Sequence, residues 1–429
     1  MHDVIVIGAG AAGLAATRAL QQAGSDVLSL EAQERVGGRI LTDLTFCPYP
    51  VELGAEFIHG EHVHTWELVR SAGLHTTEVF GDAERYLLYA GDELISLRDV
   101  EAGKHAGAAR ALSLTGRDVM DAVKQRQRQD RPDLDVASLL RILGIPTGTD
   151  FGRIVEGSYQ GLNAADPVEL SAFSLLEADY AGDGDRDFRI DDGYSAWLNL
   201  FARDLPVRLS SPVDLVRWRR DGVELVTRRG EVFRARRVIV TLPLALLQAG
   251  RPRFLPGLPP DKGRALEQLG SGPVTKIILH FNRPFWPANL ERVSTPLHPR
   301  FFWRTGAGRN HERPVLTVYT GASAAQALNR LGPKGAVRAV TADLRAIFGL
   351  PRDPAVVAFR FVDWSADPFA GLGYSFVRPG GVGARALLAA PTEGVLFWAG
   401  EATNPARPAT VHGAVESGIR AAQEVLQAK

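Results

Sequence analysis

The sequence predicts an α/β fold in which one domain, built on a parallel sheet, is shared between the two ends of the chain. A second, α+β domain is inserted between them. Three observations carry this. Residues 3–31 read as strand, glycine loop, helix and strand in immediate succession. Residues 395–418 read as a buried strand, a loop punctuated by glycine and proline, and a helix. Between them lies a long stretch with neither pattern. Composition allows this: 429 residues, 45% hydrophobic and 23% charged, suffice for two or three globular domains.

Asp3-Val4-Ile5-Val6-Ile7 is a continuous β-branched run, the pattern of a parallel strand covered on both faces. Gly8-Ala9-Gly10-Ala11-Ala12-Gly13 follows as a GxGxxG, then an alanine-rich helix to about Ala23 with Gly24 as its stop. Val27–Leu30 is a second strand and ends on Glu31. In such a Rossmann-like unit Gly8 permits the tight turn, Gly10 lets the backbone approach a pyrophosphate, and Gly13 lets helix and strand pack closely. The helix N-terminus offers free N–H groups and a positive dipole end. Glu31, 23 residues after Gly8, is placed to accept from a ribose hydroxyl, and it repels a 2′-phosphate, which disfavours NADP. The motif alone does not separate NAD from FAD.

The middle changes character twice. Residues 76–200 read as mainly helical and charged, with helices at Arg117–Gln129 and Val136–Leu143. Residues 207–241 read as three short strands, Val213–Arg217, Val223–Thr227 and Val232–Val240, with Asp221-Gly222 and Arg229-Gly230 at the turns. A proline-rich stretch at 251–260 is a crossing between domains. Strands return at Val274–Phe281, Val315–Tyr319 and Val356–Val362. The expected division is 1–75, 201–262 and 385–429 for the nucleotide domain, and 76–200 with 263–384 for the inserted domain.

One residue in the middle stands out. The chain has six lysines against 43 arginines, and one of the six, Lys276, sits inside the apolar run Val274–Phe281. A buried lysine is costly unless paired or deprotonated. Strand alternation leaves the plainer alternative open, an edge-strand lysine pointing into solvent.

Val395–Ala399 is the last buried strand. Gly400-Glu401-Ala402-Thr403 and a loop through Pro405 and Pro408 follow, and Ala409–Gly418 opens the last helix.

Several classes are excluded or disfavoured. A single cysteine, Cys47, leaves no internal disulfide, no cysteine-based zinc site and no CxxC redox pair, so redox chemistry requires a cofactor. Lys+Arg and Asp+Glu are both 49, a zero net charge that carries no nucleic-acid footprint. No run of eighteen apolar residues exists, and the N-terminus runs at once into a strand, without the features of a signal peptide. A cytoplasmic protein without a membrane anchor, monomeric or homodimeric, is expected.

Glu34-Arg35-Val36-Gly37-Gly38-Arg39 follows the second strand, and Gly54-Ala55-Glu56-Phe57-Ile58-His59-Gly60 lies just beyond. With the Gly400-Glu401 and Ala409–Gly418 blocks, these resemble the flavin-containing amine oxidase family, which includes monoamine and polyamine oxidases, L-amino-acid oxidases and histone lysine demethylases. The resemblance runs from about Val4 to Ala422. It implies that FAD is the cofactor and that the two domains have the amine oxidase/p-hydroxybenzoate hydroxylase-like arrangement. Gly8, Gly10, Gly13, Glu31, Arg35, Gly38 and Arg39 would meet the dinucleotide, and Val213 the adenine through its backbone. Gly54, Ala55, Glu56, Gly400, Glu401, Thr410 and Val411 would line the rest of the flavin.

The resemblance also implies a reaction site. Lys276 matches the family's flavin-facing lysine, which holds a water at flavin N5. Trp364 and Tyr374 lie in a stretch resembling W-x-x-D-P…G-x-Y, and Tyr374 matches one wall of an aromatic cage. The opposite wall is Thr410, so the cage is half open and suits a bulky or secondary amine, or a polyamine. Gly373 stands where monoamine oxidases bond FAD through cysteine, which implies non-covalent FAD. His59 matches a histidine near the active site, but His59, His62 and His64 have no metal-ligand spacing, and no metal is expected. Glu177, Asp179, Asp183, Asp185 and Asp187 form an acidic stretch that could attract a polyamine. The implied reaction is oxidation of a small-molecule amine to an imine and then a carbonyl, with O2 reduced to H2O2. The alternative is an L-amino-acid oxidase or another flavin dehydrogenase or desaturase of the same superfamily.

Overall fold

The computed structural model describes residues 1–81, 84–108, 116–145, 148–178, 182–309 and 312–428. Its first sheet has eight strands. His2–Ile7 lies at its centre, parallel to Val27–Leu30 on one side and to Val232–Val240 on the other. The strand Val232–Val240 divides its free edge. Its first half pairs antiparallel with Gly222–Thr227, and its second half pairs parallel with Leu396–Trp398. The two ends of the chain and the central meander therefore form one sheet.

Both faces of this sheet are covered, which explains the unbroken apolar run at the start of the chain. Val4 and Val6 pack with Ile239 and Phe397 beneath the helices Ala11–Gln22 and Val411–Gln427. Ile5 and Ile7 face the other way, against Val216, Leu225 and Trp398. The first and last helices lie against each other. A Cβ at Gly418 would stand 2.1 Å from the Ala12 carbonyl oxygen, so this close crossing requires glycine.

The second sheet has seven strands, in the order Val356–Asp363, Val274–Phe281, Val315–Gly321, Phe301–Arg304, Arg292–Ser294, Tyr86–Ala90 and Glu93–Ser96. The strand carrying Lys276 is internal, so the lysine does not point into solvent from an edge. One face of the sheet is core: Ile277, Leu279, Phe281, Phe302 and Val318 pack against Val340 and Leu344 of the helix Gly332–Ile347. The opposite face carries Lys276, Tyr319, Phe301 and Trp303, which share it by register. A short ribbon of Leu269–Gly272 with Tyr374–Val377 lies beside it.

Two sequence expectations change. Residues 76–200 contain the helices Arg117–Arg128, Val136–Ile142 and Asp150–Asn163, but also four strands, Thr76–Val79, Tyr86–Ala90, Glu93–Ser96 and Asp187–Ile190. Charged neighbours masked the hairpin Tyr86–Ser96, whose Gly91-Asp92 turn has positive φ at both residues. The stretch 251–260 does not leave the first sheet directly, because Arg253–Leu255 pairs parallel with Val213–Arg219. Phe57–His59 and Thr76–Val79 both pair with Asp187–Ile190, which ties residues on either side of position 75 into one small sheet. No helix among the described residues is long and apolar enough to cross a membrane.

Candidate active site

A cavity of about 1410 Å³ runs from the glycine loop of the first sheet to the lysine face of the second. That exceeds the roughly 300–1,000 Å³ of a site for one small molecule, and leaves room for a dinucleotide and a second ligand.

The dinucleotide end is a cradle whose glycines divide into two kinds. Gly8 has φ 107°, and a Cβ there would stand 2.6 Å from Thr241 Oγ1. A Cβ at Gly13 would stand 1.9 Å from the Gly8 carbonyl oxygen. These two serve the protein's own packing. Gly10 does not: the nearest atom to its Cβ would be 3.8 Å away, and the space beside it is the cavity. Gly10 is also the N-cap of the helix Ala11–Gln22, which no side chain caps, so its first N–H groups are left for a ligand. Glu31 lines this end and braces the loop, accepting from the Ala9 N–H at 2.7 Å and the Gln33 N–H at 2.9 Å. Burial raises its carboxyl above the ordinary value. Val213 lies on the same wall.

Arg35 is a correction to the expected cofactor set. Its guanidinium turns inward and donates to the carbonyls of Val36, Gly38 and Ile40, at 3.1, 2.8 and 3.1 Å. It shapes the loop that presents Gly37 and Gly38, because a tight glycine turn leaves carbonyls that need a donor. Gly38 and Arg39 are on the cavity wall. Arg39 pairs with Glu401 at 3.1 Å and also donates to the Gly373 carbonyl. Glu401 further accepts from Ser375 Oγ at 2.6 Å and the Ala409 N–H at 3.2 Å. Burial would raise its carboxyl, but Arg39 and Arg385 outweigh burial and hold it below the ordinary value. Gly54 permits a close crossing, since its Cβ would stand 1.9 Å from the Arg39 carbonyl oxygen. Beside it Trp364 is buried and donates its indole N–H to the Leu53 carbonyl at 3.1 Å. Ala55, Glu56, Gly400, Thr410 and Val411 line the same cavity.

Lys276 is at the centre. Its Nζ donates to the carbonyls of Glu52 and Gly54, at 3.1 and 2.9 Å, and to Glu56 Oε2 at 2.8 Å. All three ammonium protons are thereby used, and the buried lysine is paired. A water on Lys276 would have to take the place of one of these acceptors. Glu56 also accepts from Arg189 at 3.2 Å and from the Trp303 indole at 3.0 Å. Burial pushes the Glu56 carboxyl up, but Lys276 and Arg189 overcome it and hold it below the ordinary value. Glu52, close by, has no ion pair among the described residues, and burial pushes its carboxyl up to about 7 against the weaker pull of Lys276.

The far end is aromatic. Tyr374 meets Tyr319 hydroxyl to hydroxyl at 2.6 Å, and both reach the Gly161 carbonyl. Tyr319 is directly opposite Lys276 in the sheet. Sequence reasoning missed it, because only strand register brings residue 319 to residue 276. Phe57, Phe80 and Trp303 complete a cluster, with ring centres 5.0 and 5.6 Å from Phe57. Thr410 lines the cavity with its hydroxyl engaged elsewhere. Its Oγ accepts from the Gly413 N–H at 3.0 Å and donates to the Arg407 carbonyl at 2.9 Å, so its hydroxyl is the N-cap of the last helix. His59 is exposed on the rim and contacts Asp187 at 2.6 Å. Of the acidic stretch, Asp183 is buried against Arg407, at 2.8 and 3.0 Å from its Nε. Glu177 accepts from the Gly383 N–H at 2.6 Å. Asp179 lies outside the described residues.

A family model described as flavin containing amine oxidoreductase matches residues 11–426. The chain belongs to that family. Among its relatives, Polyamine oxidase 4 of Oryza sativa subsp. japonica is 32% identical, over 98% of this chain and 88% of that protein. Lysine-specific histone demethylase 2 of Homo sapiens is 29% identical over 99% of this chain, which spans about half (53%) of its length. In fold, the chain is similar to putrescine oxidase bound to putrescine, with a TM-score of 0.85 at 21% identity over 99% of both chains. It is also similar to cyclohexylamine oxidase from Brevibacterium oxydans, with a TM-score of 0.79 at 24% identity over 99% and 98%.

As a flavin amine oxidoreductase the chain uses FAD, and the donor set fits it. The uncapped helix N-terminus and Gly10 suit the pyrophosphate, and Glu31 suits the ribose. The cofactor is held without a covalent bond. Gly373 offers no nucleophile, and Cys47 packs beside Phe46 and Tyr49, away from the cavity wall.

Proposed function

We propose that the protein oxidises amines to imines that hydrolyse to carbonyls, with O2 reduced to H2O2. The observation that carries this is the juxtaposition in one cavity of a dinucleotide cradle, the Lys276–Glu56 pair and the Tyr319–Tyr374 wall. FAD, when bound, supplies the two-electron acceptor that takes an amine to an imine and returns to its oxidised form with O2.

The chain's own residues do the rest. Tyr319 and Tyr374, locked hydroxyl to hydroxyl, give a rigid aromatic surface on which the amine is positioned. The apolar surround of Phe57, Trp303 and the tyrosines disfavours an ammonium, so the amine binds in its neutral, oxidisable form. Lys276 holds a fixed positive charge at the cavity wall and is the residue positioned to assist the return of electrons to O2. The N-termini of the helices Ala11–Gln22 and Val411–Gln427 open on the same cavity, and their dipoles favour negative charge there. Trp364 supports the Gly54 crossing at the cavity wall, and His59 acts at the rim. With Thr410 as the cap in place of an aromatic wall, the site favours a bulky or secondary amine.

The α-amino-acid reading is less well supported. Next to Gly54–Gly60, Arg39 is tied to Glu401 and Arg189 to Glu56, which leaves neither to grip an α-carboxylate. The test is an aerobic panel of secondary, bulky primary and poly-amines, scored for H2O2 and carbonyl product. H2O2 release with at least one amine class is expected. None with any amine, from protein that carries flavin, overturns the proposal.

A further inference from the structure

The cavity-facing side of the seven-stranded sheet carries a second cation, far from Lys276. Arg292 is directly opposite Trp303 on one neighbouring strand and Tyr86 on the other, so it shares their face. Its guanidinium carbon lies 3.9 Å from the ring centre of Tyr86 and 4.9 Å from that of Phe80. The side chain forms part of the cavity wall.

The two rings hold the guanidinium in place but do not neutralise it. Its Nε is buried without a hydrogen-bond partner, and among the described residues no carboxylate lies within the 4.0 Å of an ion pair. On the cavity wall Lys276 is matched by Glu56, Arg39 by Glu401 and Arg186 by Glu61, while Lys124, Arg228 and Arg251 also line the cavity without an ion pair among the described residues. Arginine cannot shed its charge by deprotonation. A fixed, unmatched guanidinium in an aromatic cavity is therefore a site for an anion brought in from outside.

We propose that the amine substrate carries a carboxylate at its far end and that Arg292 binds it. This deepens the amine-oxidation reading and rests on it. The strand of Arg292 is three strands from that of Lys276, about 14 Å at ~4.8 Å per strand. Less the reach of the side chains, that separation fits an ω-amino acid of several methylenes and is too long for an α-amino acid. A linear polyamine would bring a second ammonium against Arg292, so this wall selects against it.

The test uses the FAD-loaded enzyme and three probes of one length: 6-(methylamino)hexanoate, N-methylhexylamine and N-methyl-1,6-diaminohexane. Anaerobic flavin reduction gives a half-saturating concentration for each. The wild type should favour the carboxylate over the amine with an uncharged far end by about tenfold or more, the worth of one charge-assisted pair. Arg292→Met should abolish that ratio, Arg292→Lys should keep part of it, and Arg292→Glu should shift preference to the diamine. A wild type without preference, or a preference that survives in Arg292→Met, overturns the proposal and leaves amine oxidation standing. Hexanoate, which cannot be oxidised as an amine, gives a second readout by titration of the oxidised flavin spectrum. Binding to the wild type but not to Arg292→Met supports the anion site even if no amine reduces the flavin. Equal binding, or none, overturns it.

Discussion

Removing Lys276 tests the buried charge centre most severely. In Lys276→Met, Glu56 stays buried with only Arg189 at 3.2 Å and the Trp303 indole at 3.0 Å, and the Glu52 and Gly54 carbonyls lose their ammonium donor. Breaking a buried pair from one side costs about 3–5 kcal/mol, because the remaining charge keeps its desolvation penalty. At ~2–4 °C per kcal/mol for a domain of this size, the melting temperature should fall by roughly 6–20 °C. Lys276→Met with Glu56→Gln removes both charges and should recover part of that loss, with a coupling energy of about 2 kcal/mol. The assay is thermal unfolding of the wild type, both single variants and the double variant. Flavin reoxidation by O2 in the same four proteins separates two roles. If Lys276 acts at the cofactor, reoxidation stays slow in the double variant although stability returns. A fall of under about 2 °C in Lys276→Met, or strict additivity in the cycle, would refute the pairing.

Gly10→Ala should fold with nearly wild-type stability, since its Cβ meets nothing closer than 3.8 Å, but should purify with little flavin. Gly13→Ala, with a Cβ 1.9 Å from the Gly8 carbonyl oxygen, should instead lose stability even as apoprotein, and unfolding curves with flavin content tell the two apart. Glu52 gives a pH signature. Its folded value, about 7, lies above its unfolded value near 4.5, so its contribution is full below 4.5 and is lost as pH rises to about 7. Glu52→Gln should flatten that slope and be the more stable protein at pH 8, by up to about 3 kcal/mol in denaturant titrations. Acid precipitation should release all the flavin into the supernatant, and flavin retained on the polypeptide would contradict the missing tether at Gly373.

The two ends of the chain were legible because their chemistry is local. Val4 to Ile7 reads as a strand covered on both faces, and Gly8, Gly10 and Gly13 act within a few residues of one another. Lys276 was legible as an anomaly, one lysine in an apolar run, but its partner was not. Glu56 lies 220 residues away, and only the fold brings them to 2.8 Å. Tyr319, Trp303 and Arg292 were silent for the same reason, since each is an ordinary strand residue until register sets it on the cavity face. Arg35 was misread because a motif position says which residue is present, not where its polar atoms go. Backbone carbonyls claimed its guanidinium.

The central claim is that this cavity couples FAD to amine oxidation, and anaerobic mixing of the yellow protein with an amine tests it most directly. The flavin absorbance should bleach with a bulky or secondary amine and return on admission of O2, with one H2O2 for each amine oxidised. Flavin that bleaches with dithionite but with no amine of any class would contradict it.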